Sequence, residues 1–448
     1  MDRRNFLRNC AGAPLVAAGV ARAENPKAWY PGAGLGLFLH WSIASVAQVE
    51  MGWGLFKDVG GKDPHPAWPP EKYQALAGKF NPQNYDPDKW LRAAAQAGFK
   101  YAVLTARHHD GYAMWPSAYG NFGVKQHMGG RDLVGPYVEA CRKNGLKVGF
   151  YYSPGNWLFN PKGWPWLGFP LRDDKFLHRR PERTESMPRY ADVPMSEFQK
   201  HFETLYAYVK GQVGELLTRY GKIDLLWWDG YDWPIGVEHH PQEMESYVRS
   251  LQPGIVLNDR YMIWDSGLLW GDYRTEYEGR RPNTRPRGLW EHSDTMCGGM
   301  WGYGGPSVAC KSSGYLLTQL VQDRAWGANF LPNFGPRPDG TMQPEFYRVC
   351  EELAAWMKHS GVSVHNVQAG AYPEQCDAPV TVSGGTWYVH FLPGRRRTST
   401  LSGVSAPRTV RLLATGEAVS WTRDAGRYVL SLPAAAPADT VATVALAF

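Results

Sequence analysis

The sequence predicts an α/β protein in which a (β/α)8-like barrel is followed by a small C-terminal antiparallel β-sandwich. From Leu35 to about Ser360, short apolar runs alternate with amphipathic helical patterns, which is typical of a parallel sheet. Six strands are recognisable there, and the length of the segment leaves room for others, which favours a closed barrel over an open sheet. After Ser360 the runs become short, β-branched or aromatic, and Gly, Pro and Asp separate them, as in a sandwich.

The elements follow from local patterns. The barrel strands are predicted at Leu35–His40, Tyr101–His108, Lys147–Ser153, Ile223–Asp229, Gly254–Arg260 and Ala328–Asn333. Helical patterns run from Asp86 to Gly98, from Ser196 to Gly221 and from Pro344 to Gly361, and the sandwich strands are predicted at 380–382, 386–392, 408–413, 428–430 and 440–448. Asp86 supplies an N-cap, and Pro87 suits the first turn of its helix. No Gly-x-Gly-x-x-Gly motif follows a predicted strand, which argues against a dinucleotide-binding fold.

The first 23 residues have the features of a twin-arginine export signal. Arg3 and Arg4 precede an apolar stretch at 11–20, and Ala21-Arg22-Ala23 matches an A-x-A cleavage site. The apolar stretch is too short to cross a bilayer, which takes about 20 residues. We therefore expect a signal at 1–23, a catalytic barrel at 24–362, a β-sandwich domain at 363–448, and a mature protein that is periplasmic or secreted and has no membrane span.

Charge and cysteine content exclude several classes of protein. The whole chain has a formal net charge of +6, and the signal contains four arginines and one aspartate, so the mature chain is close to neutral. It also carries no basic run long enough to indicate nucleic-acid binding. The arginines at 395–397 are expected in a solvated loop. The mature cysteines are Cys141, Cys297, Cys310, Cys350 and Cys376. Their odd number and the absence of C-x-x-C spacing predict neither a zinc site nor a complete disulfide framework, with at most one or two pairs among buried cysteines.

Polar side chains stand where the predicted strands end. The apolar run before Asp229 has strand length and ends on that carboxylate, whereas Asp224 lies at the opposite edge and is expected to be structural. The other strand ends carry His40-Trp41, His108-His109-Asp110, Tyr152-Ser153 with Asn156-Trp157, Asn258-Asp259-Arg260, and Asn329 with Asn333. Closing the barrel brings these ends together and predicts one pocket with donors for hydroxyl groups. Neighbouring tryptophans offer faces for a pyranose ring, with candidates at Trp41, Trp157, Trp228, Trp233 and Trp301.

These segments resemble glycoside hydrolase family 29, the α-L-fucosidases. The resemblance extends from Leu35 to about Gly340. It is carried by the segments 37–42 with 44–46, 79–80 with 85–90, 97–105 with 108–111, 131–134, 149–153, 226–230, 290–291 with 301–303, and 333–336 with 339–341. The resemblance implies retaining hydrolysis of terminal α-L-fucosyl residues, with Asp229 attacking the anomeric carbon. The expected substrate is a fucosylated oligosaccharide or glycoconjugate, and we expect no cofactor and no metal ion.

The same resemblance assigns roles to individual residues. It implies that His40, His108, His109 and Arg260 hold the fucose hydroxyls. Trp41, Tyr152, Trp157 and Trp301 are further expected contacts, and Glu50 and Trp53 are additional candidates. In this family the general acid commonly follows the Asn-Asp-Arg strand, in a loop that here spans 271–278. Our preferred acid is Glu276, on the view that one residue is missing after Thr275, and the alternatives are Glu278 and Glu291.

The sequence departs from the family pattern at two positions near the predicted site. Arg107 stands where the family usually has lysine, and Pro332 interrupts an apolar pair. The sequence His108-His109-Asp110 could hold a metal ion, but adjacent strand residues point to opposite faces, which argues against this site. The alternatives to the predicted enzyme are a non-catalytic fucose-binding protein and a retaining glycosidase for a related pyranoside. The C-terminal domain shows no obvious aromatic row and is expected to serve packing.

Overall fold

The computed structural model describes residues 25–55, 68–158, 195–230, 240–261 and 270–448. The predicted export signal and Trp233 lie outside these residues. Within the described ranges, eight parallel strands form one curled sheet. Their bounds are β1 Gly36–Leu39, β2 Tyr101–Arg107, β3 Lys147–Tyr152, β4 Leu225–Trp228, β5 Val256–Leu257, β6 Arg274–Glu278, β7 Trp290–Thr295 and β8 Asn329–Phe334.

The sheet closes into a barrel at the junction of β5 and β6. The strand order is β5-β4-β3-β2-β1-β8-β7-β6, and a parallel bridge between Asn258 and Tyr273 joins the two ends. At the same junction, the backbone N–H of Asp272 donates to the carbonyl of Leu257 at 2.7 Å, and the Asp272 carboxylate accepts from the N–H of Leu257 at 2.9 Å. The predicted α/β barrel fold is thereby confirmed.

The six predicted strands all form, but β5 is limited to Val256–Leu257 within the predicted run Gly254–Arg260, and β6 and β7 are additional. The segment 271–278 was expected to be a loop, and this expectation was wrong because Arg274–Glu278 pairs in parallel with β7. The backbone N–H and the hydroxyl of Thr275 both donate to the Asp259 carboxylate at 3.0 Å, and these two bonds fix Thr275 in β6.

Helices cover the outside of the barrel. Their bounds are α1 Trp29–Ala33, α2 Pro70–Gln74, α3 Pro87–Gln96, α4 Val124–His127, α5 Val134–Lys143, α6 Met195–Arg219, α7 Pro241–Leu251, α8 Ser313–Ala325 and α9 Pro344–Ser360. The Asp86 side chain accepts from the N–H of Lys89 and caps α3, as predicted. This helix buries Trp90, Leu91 and Ala94 toward the sheet.

Two apolar layers form because successive strand residues face opposite sides. Along β1, Phe38 lies in the cluster inside the barrel, whereas Leu37 and Leu39 belong to the larger core between strands and helices. Along β3, Tyr151 lies inside and Tyr152 outside. This alternation decides which side chains reach the carboxyl end of the barrel from within.

The C-terminal domain contains two antiparallel sheets. Its strands are β9 Gln368–Ala369, β10 Val380–Ser383, β11 Thr386–Phe391, β12 Thr398–Leu401, β13 Thr409–Leu412, β14 Ser420–Asp424, β15 Arg427–Ser431 and β16 Ala442–Ala447. The orders are β13-β16-β11-β10-β9 and β12-β15-β14. The domain contacts the barrel through hydrogen bonds such as that from the Trp356 indole to the carbonyl of Val441 at 2.8 Å. The predicted boundary after residue 362 falls in the turn Gly361–Ser363.

Cysteine pairing agrees with the expectation of at most one or two bridges. Cys297 and Cys310 form a disulfide, whereas Cys141, Cys350 and Cys376 are buried and free. In the part of the chain that the structure describes, no helix combines the length and apolar character needed to traverse a membrane.

Candidate active site

The carboxylate of Asp229 stands directly after β4, whose residues are fully buried. Among the described residues, three side chains contact it. The Tyr151 hydroxyl donates to Oδ2 at 2.7 Å, His109 Nε2 lies 3.2 Å from Oδ2, and Arg260 Nη1 lies 3.1 Å from Oδ1. Asp224 is at the opposite edge of the barrel and accepts from the N–H of Val148 at 3.0 Å. The two aspartates therefore have different surroundings.

Electrostatics favour the ionised form of Asp229. Burial alone raises the pKa of this carboxyl, because a charge loses solvation inside the protein. The hydrogen bond and charge of His109, the charge of Arg260 and the hydrogen bond from Tyr151 outweigh burial and hold the pKa of Asp229 well below its usual range. The side chain is 12% exposed, so the ionised carboxylate remains accessible from the pocket.

Glu278, the last residue of β6, shares a partner with Asp229. Its Oε1 contacts Nη1 of Arg260, the same nitrogen that contacts Asp229 Oδ1. Two contacts of hydrogen-bond length through one atom leave the two oxygens within about 6 Å of each other. Burial raises the pKa of Glu278, Arg260 opposes this shift, and the negative charge of Asp229 adds to it. The two carboxyl groups are thus biased toward opposite protonation states.

Three histidines line the same space. Burial lowers the pKa of His40 to about 3, and its Nδ1 lies 2.7 Å from Oδ1 of Asn333. His108 stacks on Tyr151 with ring centroids 5.2 Å apart, and burial also lowers its pKa. His109 stacks on Trp157 at 4.5 Å, and its Nδ1 lies 2.5 Å from the Ser153 hydroxyl. Neutral imidazoles such as those of His40 and His108 can both donate to and accept from hydroxyl groups.

An aromatic wall stands beside His40. The Trp301 ring lies 5.0 Å from the His40 ring, on a loop that begins at the disulfide. The Glu50 carboxylate fixes this loop, accepting from the N–H groups of Trp301 at 2.7 Å and Gly302 at 3.2 Å. Glu50 is therefore next to the pocket but already committed to backbone donors. Trp53 packs against Trp157 at 5.1 Å, one layer further out.

The pocket also contains a group of metal-compatible atoms. Ligand atoms of His108, His109 and Asp229 lie within 4.8 Å of one another. The expectation that the adjacent histidines point to opposite faces was wrong, because β2 ends at Arg107 and both rings turn into the pocket, 4.5 Å apart. Asp110 instead accepts from Tyr73 at 2.7 Å outside the pocket. A guanidinium 3.1 Å from Asp229 repels a divalent cation, so the donor set suits sugar hydroxyls better.

Comparison with known proteins identifies the family of this chain. The family model described as alpha-L-fucosidase matches residues 18–362. The chain belongs to the α-L-fucosidases, glycoside hydrolase family 29. It is a glycoside hydrolase of that family, and the predicted family membership and enzyme class are confirmed.

Individual relatives are distant but extensive. Tissue α-L-fucosidase of Rattus norvegicus is 28% identical over 75% of this chain and 69% of its own length, and that of Mus musculus is 26% identical over 91% and 88%. The solved α-L-fucosidase isoenzyme 1 of Paenibacillus thiaminolyticus has a TM-score of 0.75, with 27% identity, 95% of this chain covered and 99% of its own. The solved α-L-fucosidase of Bacteroides thetaiotaomicron has a TM-score of 0.74 and 23% identity, with 94% of this chain covered and 95% of its own. That enzyme was captured as a covalent intermediate with 2-fluoro-fucosyl fluoride.

In this α-L-fucosidase-family chain, two expected sugar contacts lie away from the pocket. The Tyr152 hydroxyl donates to Gln212 of α6 at 2.9 Å, on the outer side of the barrel. The Trp41 indole donates to the carbonyl of Arg337 at 3.0 Å, and its ring packs against Tyr85. The pocket instead contains Tyr151, which sequence reasoning missed because Tyr151 and Tyr152 are chemically identical and no pattern within β3 distinguishes their faces.

The alternative acids also differ in position. Glu291, the second residue of β7, lies inside the barrel and accepts from Tyr30 at 2.8 Å, Tyr101 at 2.5 Å and the Trp227 indole at 2.9 Å. Burial raises the pKa of Glu291, and these donors oppose the shift. Glu276 lies in β6, but its side chain is outside the described part of the structure. Among the described glutamates, Glu278 is the one that shares Arg260 with Asp229.

Proposed function

We propose that this member of the α-L-fucosidase family is a retaining exo-glycosidase that releases terminal α-L-fucosyl residues from glycans or glycoconjugates. Asp229 acts as the nucleophile and Glu278 as the general acid and base. The observation that carries this proposal is the single nitrogen of Arg260 in contact with both carboxyl groups. Retaining glycosidases need two carboxyl groups about 5–5.5 Å apart, one ionised and one protonated.

The proposed reaction has two steps. In the first, an Asp229 oxygen attacks the anomeric carbon while Glu278 gives its proton to the departing glycosidic oxygen, forming a glycosyl ester on Asp229. In the second, Glu278 removes a proton from water, the water oxygen attacks the same carbon, and Asp229 leaves as a carboxylate. Tyr151 and His109 stabilise that carboxylate through their contacts with Oδ2.

The shape and chemistry of the pocket support a terminal sugar as substrate. His40, His108 and His109 are 2–4% exposed, so a bound ring that reaches them is enclosed by protein. Their nitrogen atoms suit ring hydroxyls, and Trp301 offers an apolar face for the carbon side of the ring. A chain extending through the sugar would meet these buried side chains, which favours action at chain ends.

The test is hydrolysis of 4-nitrophenyl α-L-fucopyranoside, with the first-formed fucose followed by proton NMR. We expect 4-nitrophenol release and initial appearance of the α-anomer. Initial β-anomer would contradict the retaining route. Preference for another aryl pyranoside would support the related-sugar alternative. Binding of fucosylated glycans without any turnover would support the fucose-binding alternative.

We also propose that the protein acts outside the cytoplasm, after export by the twin-arginine route. The support is the pair Arg3-Arg4 ahead of a short apolar stretch and an A-x-A site. Fractionation of cells expressing the full chain should place activity in the periplasm or medium. The double change Arg3→Lys and Arg4→Lys should retain the protein in the cytoplasm, and unchanged export of this variant would contradict the proposal.

A further inference from the structure

Arg107 is a buried cation next to the active site. It is the last residue of β2 and 0% exposed, and among the residues that the structure describes it makes no ion pair with a carboxylate. Its guanidinium lies over the Tyr152 ring at 4.3 Å and near the Tyr208 ring at 5.1 Å. Burying a charged group is costly unless specific polar partners compensate for lost water. The partners of Arg107 therefore indicate what its charge does.

Those partners are the carbonyl groups of one tight turn. Nη2 donates to the carbonyl of Ser153, to that of Pro154 at 3.2 Å and to that of Gly155 at 3.3 Å. Nη1 donates to Oε1 of Gln212 at 3.1 Å, which ties the guanidinium to helix α6. Three consecutive carbonyls converging on one nitrogen repel one another without a cation between them. Arg107 thus stabilises the particular shape of the turn that follows β3.

This turn supplies two of the contacts that orient His109. At its start, the Ser153 hydroxyl lies 2.5 Å from Nδ1 of His109. At the end of the turn, the Trp157 ring stacks on the His109 imidazole with an interplanar angle of 16°. The backbone N–H of Trp157 donates to the backbone carbonyl of His109 at 2.7 Å. The imidazole is held at its face and at one nitrogen, and its other nitrogen, Nε2, faces Asp229.

We propose that Arg107 is a positioning residue of the hydrolytic reaction, which holds the turn Ser153–Trp157 so that His109 meets the carboxylate of Asp229. The inference rests on the proposed function, since it assigns a consequence for turnover. Among the described residues, no hydrogen bond or ion pair joins Arg107 to Asp229, and its connection to His109 runs through the turn. Loss of its donors releases the turn, and His109 then no longer holds its place beside Asp229.

The structure provides a matched control at the other end of the barrel. Arg324 is 1% exposed and also donates to three carbonyls, those of Val364 at 3.0 Å, Ala328 at 2.8 Å and Val367 at 3.0 Å. It lies in α8, before the amino end of β8. Its Nη1 also donates to Oδ1 of Asn329 at 3.2 Å, and Asn329 is the first residue of β8, so this side chain stands at the amino end of the strand and not at the carboxyl end where Asp229 lies. Arg107→Met and Arg324→Met both remove a buried guanidinium from a carbonyl cluster, so both should lower the thermal midpoint.

Kinetics then separate the two sites. With 4-nitrophenyl α-L-fucopyranoside, we expect Arg107→Met to lower kcat about 10- to 100-fold and Arg324→Met to leave kcat within about threefold. Because His109, Arg260 and Tyr151 together lower the pKa of Asp229, displacing His109 alone should raise it. The acid limb of kcat/KM against pH should therefore move upward in Arg107→Met and stay in place in Arg324→Met. Arg107→Lys keeps the charge but has one nitrogen instead of a fork, and it should give a smaller shift in the same direction.

The outcomes are distinguishable. An inactive wild type would contradict the proposed function itself. An active wild type with the same kcat and pH profile in Arg107→Met as in Arg324→Met would overturn only the positioning role. If Arg107→Met does not fold, Arg107→Lys decides the question, and an unchanged acid limb in that variant would overturn the inference.

Discussion

Replacing Glu278 by glutamine removes the proposed acid while keeping the size of the side chain. Glutamine can still contact Arg260 through its amide oxygen, so the β6 end and the Asp229–Arg260 contact should persist. What disappears is the proton that a departing alkoxide needs. The loss should therefore depend on the leaving group rather than on folding.

The expected magnitude follows from the geometry. At about 5 Å and an effective dielectric constant of about 20, two ionised carboxylates repel by about 3 kcal/mol. Arg260 opposes this repulsion, and solvent reduces it further, since 37% of the Glu278 side chain is exposed. Desolvation of the carboxyl group is the largest cause of the raised pKa of Glu278, Arg260 opposes it, and the charge of Asp229 adds to it. General acid catalysis is worth about 10²–10⁴-fold, so hydrolysis of an unactivated fucosyl glycan should fall by that factor.

The assay compares two substrates and three variants. For Glu278→Gln, kcat/KM should fall at least about 100-fold with a fucosyl oligosaccharide and less than about tenfold with the 4-nitrophenyl glycoside, whose leaving group needs little protonation. Azide should raise kcat with the aryl substrate, because this anion needs no general base. The basic limb of the pH profile should also disappear. Glu276→Gln and Glu291→Gln are the controls, and a larger substrate-dependent loss in Glu276→Gln would refute Glu278 as the acid.

Further predictions concern a hydroxyl, a buried histidine and the disulfide. Tyr151→Phe keeps the ring stacking but removes the hydrogen bond to the Asp229 carboxylate, which is charge-assisted and worth about 1.5–3 kcal/mol. Steady-state kinetics should therefore show a fall in kcat/KM of about 10- to 100-fold. A change under twofold would contradict a role for the contact with Asp229. Burial lowers the pKa of His390 to about 3. Below about pH 6.5 the unfolded chain therefore binds a proton at this histidine that the folded chain does not. As the pH falls, this difference lowers the free energy of unfolding by up to about 1.4 kcal/mol per pH unit. Urea unfolding of His390→Gln at pH 7 and pH 4.5 should therefore show a smaller loss of stability at the lower pH than in the wild type, and parallel losses would contradict this assignment. Replacing Cys297 and Cys310 by serine should lower the free energy of unfolding by about 3 kcal/mol. The same change should raise KM, because the disulfide restrains the loop that carries Trp301. An unchanged KM would contradict this effect of the disulfide on the pocket.

The fold was predictable wherever strands are apolar. The runs that became β1 to β5 and β8 are dominated by aliphatic and aromatic residues, so their pattern identified them. Strands β6 and β7 were missed because their sequences, Arg274–Glu278 and Trp290–Thr295, are polar. Their side chains find partners in the fold, as Glu291 does inside the barrel and His292 does with Asp323 at 2.8 Å. A single sequence does not show such long-range compensation.

The site was predictable at the level of strand ends and less so at the level of single side chains. The sequence predicted that Asp229, His40 and the paired histidines lie together, because polar groups that follow parallel strands share one edge of the barrel, and the structure places them side by side. Tyr151 and Tyr152 could not be distinguished, because the facing of β3 depends on its register with its neighbours. The preference for Glu276 over Glu278 likewise depended on an assumed gap, whereas the shared contact with Arg260 is a property of the folded chain.

The most direct test of Asp229 as the nucleophile is to capture the proposed covalent intermediate and locate it. The purified protein would be incubated with 2-fluoro-fucosyl fluoride, digested with pepsin, and its peptides sequenced by tandem mass spectrometry. We expect one added 2-fluoro-fucosyl group, on the carboxylate of Asp229, and no such adduct in Asp229→Ala. A label on a different carboxylate, or an active enzyme that forms no adduct, would contradict Asp229 as the nucleophile.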